Sequence, residues 1–432
     1  MRDLLLGHAP HDYDVATSAR PEVVLDLFPQ TFAVGAHFGV VLVAEESPKT
    51  SLAQPGPRML TEVATFRSDG VYLDGRRPEQ VTFADQAEDD VARRDFTING
   101  LLLDPECWQR TGSLEHSVLD FVGGRADLKA GLVRAIGEPR ERFVEDKLRM
   151  LRAIRFAARF GYQIEPQTEA AMHKLAPKIV QVSRERVRDE LTRMLTEGRA
   201  RRAFELLAAT GLLEAVLPEA ARLRGVEQPP QYHPEGDVWT HTLLLLDGLT
   251  PGCSSTLAWG ALLHDIGKPA TFERAADRIR FHGHVEVGVK IAAVICNRLR
   301  FSKAQTEQIL ALVANHMRFG EVQRMRPSTL KRFFRLHDFA EHLELHRLDA
   351  LASRGDLSHY HYAQEHYATL PEESIRPALL VTGRDLIVAG YRPGPEFRRW
   401  LALVEDAQLE GRIQSREQGL EMLAEAASLP KP

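Results

Sequence analysis

A change of periodicity near Phe143 constrains this chain more than any other feature. From there almost to the C-terminus apolar residues recur at helical spacing, as with Leu148, Leu151, Ile154 and Phe156 in the stretch 144–160. Ahead of it, residues 1–125 alternate strand-like and helix-like segments. Residues 38–43 and 60–66 read as strands, separated by a Pro- and Gly-bearing loop over 47–58. Residues 21–28 read as a short helix, with Ser18 as its cap and Pro21 near its first turn. The expected fold class is α+β, a small head with a mixed sheet followed by helices. With 432 residues the chain has room for two to four domains. The expected boundaries are a head at 1–125, a helical neck at 126–228, a second helical domain at 229–352 and a helical tail at 353–432. The two prolines within 228–231 read as a linker.

Composition excludes several classes. No run approaches the roughly 18 uncharged apolar residues of a membrane helix, and Met1 to Gly7 lacks the pattern of a signal peptide. The three cysteines, Cys107, Cys253 and Cys296, are widely spaced and match no zinc or disulfide framework, so a cytoplasmic location is expected. Net charge is −5, which does not by itself advertise a nucleic-acid binder. Binding depends on local patches, however. Between Arg125 and Arg159 ten Lys and Arg stand against five acids, and between Arg184 and Arg202 seven stand against four. Such clusters are also what charged, solvated helices look like.

Residues 11–15 read His-Asp-Tyr-Asp-Val. In an extended strand, side chains at i and i+2 share a face, so Asp12 and Asp14 can hold one metal pair together. Nucleotidyl transfer needs such a pair: two Mg²⁺ ions about 4 Å apart steady the attacking and leaving oxygens. Mg²⁺ favours carboxylate oxygens. An isolated Asp-x-Asp is common in loops and decides nothing alone. Glu62, on a strand expected in the same sheet, is either a third metal carboxylate or an ordinary strand residue.

The surroundings of that pair are more specific. Arg2-Asp3-Leu4-Leu5-Leu6-Gly7 precedes it, and Arg93-Arg94-Asp95-Phe96-Thr97-Ile98-Asn99 follows some eighty residues on. With these motifs the chain resembles the class II tRNA nucleotidyltransferase and poly(A) polymerase family, to which the bacterial CCA-adding enzymes belong. The resemblance implies a head like that of DNA polymerase beta. It also implies that Arg2 and Arg94 bind the incoming nucleotide and that Asp95 lies on the sugar side of the pocket. In the family a Gly-Gly turn precedes the Arg-Asp pair and lets the backbone approach the triphosphate. Here that turn and its strand would fall ahead of Met1, and the expectation is that Met1 is an internal valine codon taken for the start.

Residues 145–152 read Glu-Asp-Lys-Leu-Arg-Met-Leu-Arg. On one helix Asp146, Arg149 and Arg152 would share a face, and Glu145 would reach Arg149 at i+4. An Asp accepts from an exocyclic amino group and an Arg donates to a neighbouring ring acceptor. Cytosine and adenine both offer that pairing, whereas uracil and guanine present the opposite sense. An intrahelical salt-bridge ladder has the same spacing. The family resemblance implies that Asp146 and Arg149 read the base and Arg152 assists at the nucleotide. It also implies that the arginines of Ser183-Arg-Glu-Arg-Val-Arg-Asp-Glu-Leu support the pocket and the tRNA backbone.

A third constellation follows: His241, then His264-Asp265 in Leu-Leu-His-Asp-Ile-Gly-Lys-Pro, then Asp349, each on an expected helix. This order resembles the HD superfamily of metal-dependent phosphohydrolases, and His284 and His316 stand where its two-metal members supply further ligands. Imidazole with carboxylate suits a divalent transition metal such as Mn, Ni, Co or Fe, and Lys268 could steady developing charge. The expected activity is addition of C, A or both to the 3′ end of tRNA from CTP and ATP, with Mg²⁺ in the head and a possible phosphohydrolase in the HD domain. Three alternatives remain: a poly(A) polymerase of the same family, an HD phosphohydrolase whose truncated head is inactive, and a non-catalytic RNA-binding protein. Oligomeric state is not legible.

Overall fold

The computed structural model describes residues 1–10, 13–32, 39–46, 58–69 and 81–428. They divide into two compact units, residues 1–221 and 222–432.

The first unit opens with a helical turn, Arg2–Leu5, and a four-stranded mixed sheet. Strands β1 (Val15–Thr17), β2 (Thr31–Phe32), β3 (Val40–Glu46) and β4 (Arg58–Thr65) lie in the order β1-β4-β3-β2. β1 runs parallel to β4 with Val15 opposite Val63, and β3 runs antiparallel to both β4 and β2. Val41, Val43 and Val63 point to one face, where Val24 of helix α1 (Pro21–Leu27) completes a small core. Glu62 falls on the other side of the pleat and is exposed. Carrying the β1–β4 register back one residue sets Asp14, also exposed, alongside Glu62. The two strands read from sequence are thus present, shifted by a few residues; Phe38 and the loop at 47–57 lie outside the described residues. Ser18 does not cap α1. The cap position is Arg20, in extended backbone with no side-chain bond, and Pro21 starts the helix with its pre-set φ.

Helix α2 (Ala87–Ala92) leads into a tight turn at Thr97–Asn99. After it come α3 (Pro139–Glu145), α4 (Leu148–Phe160) and α5 (Arg184–Thr196). Residues 144–160 were expected to form one helix, but Asp146 interrupts it with φ −138° and ψ 104°. Its short carboxylate instead accepts from the Leu148 amide at 3.0 Å, the local bond that makes Asp favour helix starts over interiors. Leu148, Leu151, Ile154 and Phe156 are all buried, as their spacing requires. The Phe156 ring meets Phe96 edge-on at 5.9 Å and carries the guanidinium of Arg155 at 4.4 Å.

Among its described residues the second unit is helical apart from one short hairpin, Glu273–Arg274 with Ile279–Arg280. Its helices include α6 (Val238–Asp247), α7 (Ser255–Leu263), α8 (His284–Arg298), α9 (Lys303–Asn315) and α10 (Phe339–Ala352). Asp237 caps α6 and Ser254 caps α7, while Ser302 and Gln305 form a capping box on α9. Residues 257–263 of α7 are buried all round, which makes it the central helix of the unit. An aromatic core of Phe319, Phe333, Phe334 and Phe339 is completed by Ala363 and Ile375, so packing runs across residue 352. A smaller core of Val381, Leu386, Val404, Ala407 and Leu423 follows. The segment 228–231 is no free spacer. Gln228 is buried, and its Oε1 accepts from Lys268 Nζ at 2.7 Å. Among the described residues no helix is long and apolar enough to cross a membrane.

Gly267 is where the loop after α7 meets the start of α8. A Cβ there would lie 2.0 Å from the His284 carbonyl oxygen and 2.6 Å from the Gly288 amide nitrogen, both backbone atoms. Gly267→Ala is expected to destabilise the protein by about 1–3 kcal/mol or more through overpacking. Urea unfolding of the variant against wild type measures this, and equal midpoints would refute the close approach.

Candidate functional site

The Arg93–Asn99 motif folds as a turn between two arginine-holding carboxylates, its own Asp95 and Asp90 just ahead of it. Asp90, buried on α2, receives Arg93 at 2.6 Å and Arg94 at 2.9 Å. Arg94 also donates to the Asn99 carbonyl at 3.2 Å. Asp95 accepts from the Phe96 amide and the Asn99 side chain, both at 2.8 Å, and from Arg152 Nε at 2.7 Å. Arg2 hydrogen-bonds the Asn99 side chain and lies over the rings of Phe156 and Phe160 at 4.8 and 4.7 Å. The opening Arg-Asp motif, the Arg-Arg-Asp motif and α4 therefore meet at one place. Asp12 lies outside the described residues.

The expected base readers are each fixed by a neighbour. Asp146 pairs with Arg186 of α5 at 2.6 Å. Arg149 pairs with Glu145 at 2.7 Å, as its spacing suggested, and donates to the carbonyls of Arg142 at 3.2 Å and Arg93 at 2.9 Å. Arg152 reaches Asp95 on one side and lies 3.8 Å from Glu190 on the other. Glu190, itself buried, also binds Arg155 at 2.7 Å. Because Asp146 precedes α4, the three residues do not form a single helical stripe, and each is held by its own partners: Asp146 by Arg186, Arg149 by Glu145 and two backbone carbonyls, and Arg152 by Asp95. Burial alone would raise the Asp95 carboxyl, but the Arg152 guanidinium, the Asn99 amide and the Phe96 N–H outweigh it and hold the group below the usual carboxylate range.

The second unit gathers all six expected ligands. His241 Nε2 lies 3.1 Å from Asp349 Oδ1 and 3.3 Å from His264 Nε2, and His264 Nε2 lies 3.2 Å from Asp265 Oδ2. The other oxygen of Asp265 stands 3.7 Å from His284 Nε2 and 3.8 Å from His316 Nε2. The donors form two groups, His241, His264 and Asp349 beside Asp265, His284 and His316, each compact enough to hold an ion. His264, His284 and His316 each place Nδ1 2.7–3.0 Å from a backbone carbonyl three residues earlier. That bond puts the proton on Nδ1 and leaves Nε2 as a lone pair aimed inward. The Nε2 atoms of His284 and His316 are buried with no hydrogen-bond partner among the described residues. Such converging acceptors are unfavourable unless a cation sits among them, so the donor set fits a metal. Burial pushes His316 down to about 4, so it is a neutral imidazole at pH 7. His241 is pushed up to about 9: burial lowers it, but Asp349 and Glu235 more than offset that. A proton and a metal ion compete for its Nε2. Lys268 Nζ contacts Asp265 at 2.6 Å.

Comparison with known proteins identifies the domains that carry these two sites. The sequence model for the poly(A) polymerase head domain matches residues 1–134, that for the probable RNA and SrmB-binding site of polymerase A matches 161–223, and that for the HD domain matches 237–352. A multifunctional CCA protein of Nitrosococcus oceani is 36% identical over 404 residues, covering 91% of this chain and 92% of its own. The chain belongs to the CCA-adding enzyme family. A CCA-adding enzyme of Geobacillus stearothermophilus is 41% identical over 221 residues, so this chain spans about half the length of that relative. The crystal structure of the Bacillus stearothermophilus CCA-adding enzyme in complex with CTP superposes with a TM-score of 0.69 at 25% identity, over 99% of this chain and 91% of that one. The family's members are nucleotidyltransferases, and the resemblance, the α+β fold class and the enzyme class read from sequence all hold.

Several residues at these sites escaped the sequence reading. Asp90, three and four residues ahead of Arg93 and Arg94, was detectable by its i+3 and i+4 spacing on a helix. Arg186 was among the arginines of the 183–191 stretch expected to support the pocket, but its pairing with Asp146, like the role of Glu190, acts across a long sequence separation and left no local trace. Glu235 stands six residues before His241, in His-Pro-Glu-Gly-Asp, where an acid beside a histidine was a usable hint.

The depressed Asp95 carboxyl contributes stability that is complete above the ordinary Asp value of about 3.9 and is lost as pH falls through its lower folded value. Asp95→Asn should therefore lower stability at neutral pH and flatten its decline between about pH 5 and pH 2. Denaturant unfolding at stepped pH tests this; an unchanged slope would count against it.

Proposed function

We propose that the protein adds C and A to the 3′ end of tRNA from CTP and ATP, the tRNA 3′ hydroxyl attacking the α-phosphorus and pyrophosphate leaving. The observation that carries this reading is the junction of the Arg93–Asn99 turn with α4, through Arg149 to the Arg93 carbonyl and Arg152 to Asp95. That junction, in this reading, would draw the nucleotide-binding arginines and the base-reading pair together. In this reading Arg2, Arg94 and Arg152 bind the nucleotide and Asp95 holds Arg152 in place. Asp146 accepts from the exocyclic amino group of cytosine or adenine while Arg149 donates to the adjacent ring nitrogen. Uracil and guanine would leave both groups unsatisfied, at about 1–3 kcal/mol each. Asp12 and Asp14 would hold Mg²⁺, and the exposed Glu62 beside Asp14 would complete the carboxylate set. When bound, Mg²⁺ supplies the charge that favours the attacking alkoxide and the departing pyrophosphate. We further read residues 1–125 as the head, 126–228 as the RNA-binding neck, 229–352 as the HD domain and 353–432 as the tail. The protein would work in the cytoplasm, where its three unpaired cysteines stay reduced.

A second activity is supported by the unpartnered Nε2 atoms of His284 and His316. We read the HD centre as a two-metal phosphohydrolase in which His241, His264 and Asp349 would hold one ion and Asp265, His284 and His316 the other. Divalent transition metals suit these donors and, when bound, supply a nucleophilic hydroxide at neutral pH. Lys268 would bind the phosphate oxygens.

Two experiments separate these readings. Asp14→Ala should abolish nucleotide incorporation into tRNA lacking CCA yet spare hydrolysis of a 2′,3′-cyclic nucleotide, and Asp265→Asn should do the reverse. Incorporation by Asp14→Ala at the wild-type rate refutes the head assignment, and long A tracts on unrelated RNA would favour the poly(A) polymerase alternative. Arg149→Ala should relax discrimination against UTP and GTP by about 5- to 150-fold, the equivalent of 1–3 kcal/mol; unaltered selectivity in single-nucleotide assays removes the base-reading role.

A further inference from the structure

One carboxylate behind the HD centre holds two histidines at once. Glu235 Oε1 accepts from His241 Nδ1 at 2.8 Å and from His233 Nδ1 at 2.8 Å, and the two rings meet edge-on, 5.0 Å apart at 82°. The Glu235 side chain is only 6% exposed, and its other oxygen is buried with no hydrogen-bond partner among the described residues. A carboxylate in that setting is costly to bury, so its place reflects what it does to its neighbours.

The backbone that presents Glu235 is tied down on both sides. Gly236 follows at φ +123°, a conformation open to glycine and little else. Asp237 then caps α6, accepting from the Thr240 amide at 2.8 Å, and its second oxygen accepts from the Gly225 amide at 2.6 Å. On the other side, Arg354, just beyond the end of α10, covers the Tyr232 ring at 4.8 Å and hydrogen-bonds the Gln231 carbonyl. The turn is thus linked to α6, which carries His241, and to the end of the helix that carries Asp349.

We propose that Glu235 is a positioning residue of the HD metal centre, braced by His233, that fixes the Nδ1–H tautomer of His241 and makes its Nε2 a stronger donor to metal. His264, His284 and His316 take the same tautomer from neutral backbone carbonyls. At Nδ1, His241 differs from the other three in having a charged partner. A carboxylate behind a ligating imidazole raises its basicity, and loss of such a partner typically costs 10- to 100-fold in metal affinity. The hydrogen-bond lengths of 2.8 Å at Nδ1 are those of N–H to carboxylate contacts, so His233, Glu235 and His241 act as a bracket and not as a further ion site. This inference rests on reading the HD centre as a metal site.

The test is a Co²⁺ titration of the full-length protein, followed by its visible absorption, with Glu235→Gln as an isosteric change that removes the charge. Glu235→Gln should bind Co²⁺ about 10- to 100-fold more weakly, with an altered visible band and an unchanged unfolding midpoint of the metal-free protein. His233→Ala, which removes the brace but leaves the carboxylate, should show a smaller loss in the same direction and keeps the test open if Glu235→Gln does not fold. Wild-type affinity and spectrum in both variants would overturn the positioning role while leaving the metal site standing. No Co²⁺ binding by wild type, matched by Asp265→Asn, would overturn the metal reading and this inference with it.

Discussion

The first unit depends on the attraction between buried arginines and the carboxylates that hold them. Around Phe156 the pairs run from Asn99 and Asp95 through Arg152 and Glu190 to Arg155. Arg2 closes the circle over the same ring. Ion pairs of this kind add little net stability, because desolvating the charges offsets most of their attraction. What they do supply is direction. Guanidinium is planar and binds in a fork, so each pair sets an orientation as well as a distance. A pocket that selects one base over another without a template needs its donors and acceptors held in that way.

The HD centre uses the opposite arrangement. In the pocket almost every charged group named has a partner of opposite sign inside the protein. In the HD centre imidazole nitrogens and carboxylate oxygens converge, and among the described residues they are opposed by Lys268, the protons on Nδ1 and the raised His241. One site holds its charges in ion pairs, and the other is an excess of donors. That contrast is what the proposed roles require, since a polar ligand is recognised by fixed donors and acceptors and a cation by converging lone pairs.

How much of this was legible in the sequence follows from how local each cause is. The strands, the buried face of α4 and the six HD donors were readable because periodicity and short spacing carry them. The single helix over 144–160 was misread because the apolar pattern continues through Asp146, while the break comes from a bond between its carboxylate and an amide two residues on. Ser18 was a sound cap by composition, yet Pro21 at the first helical position moved the start beyond its reach. The pairs Asp146–Arg186, Arg152–Asp95 and Arg155–Glu190 span 35 to 57 residues. No local rule finds them.

Those long-range pairs bear on how the two readings of the 145–152 motif relate. A salt-bridge ladder and a base-reading pair were set against each other at the level of sequence, since both use acids and arginines at helical spacing. In the structure the ladder exists, but it runs between elements: Arg186 holds Asp146, and Glu145 together with the Arg93 carbonyl holds Arg149. An acceptor and a donor each fixed from behind are better able to discriminate than free ones, because a mismatched base cannot be met by a change of rotamer. In the proposed reading the ion pairs are the means by which such a pair becomes selective, so the ladder that is observed does not exclude a base-reading role.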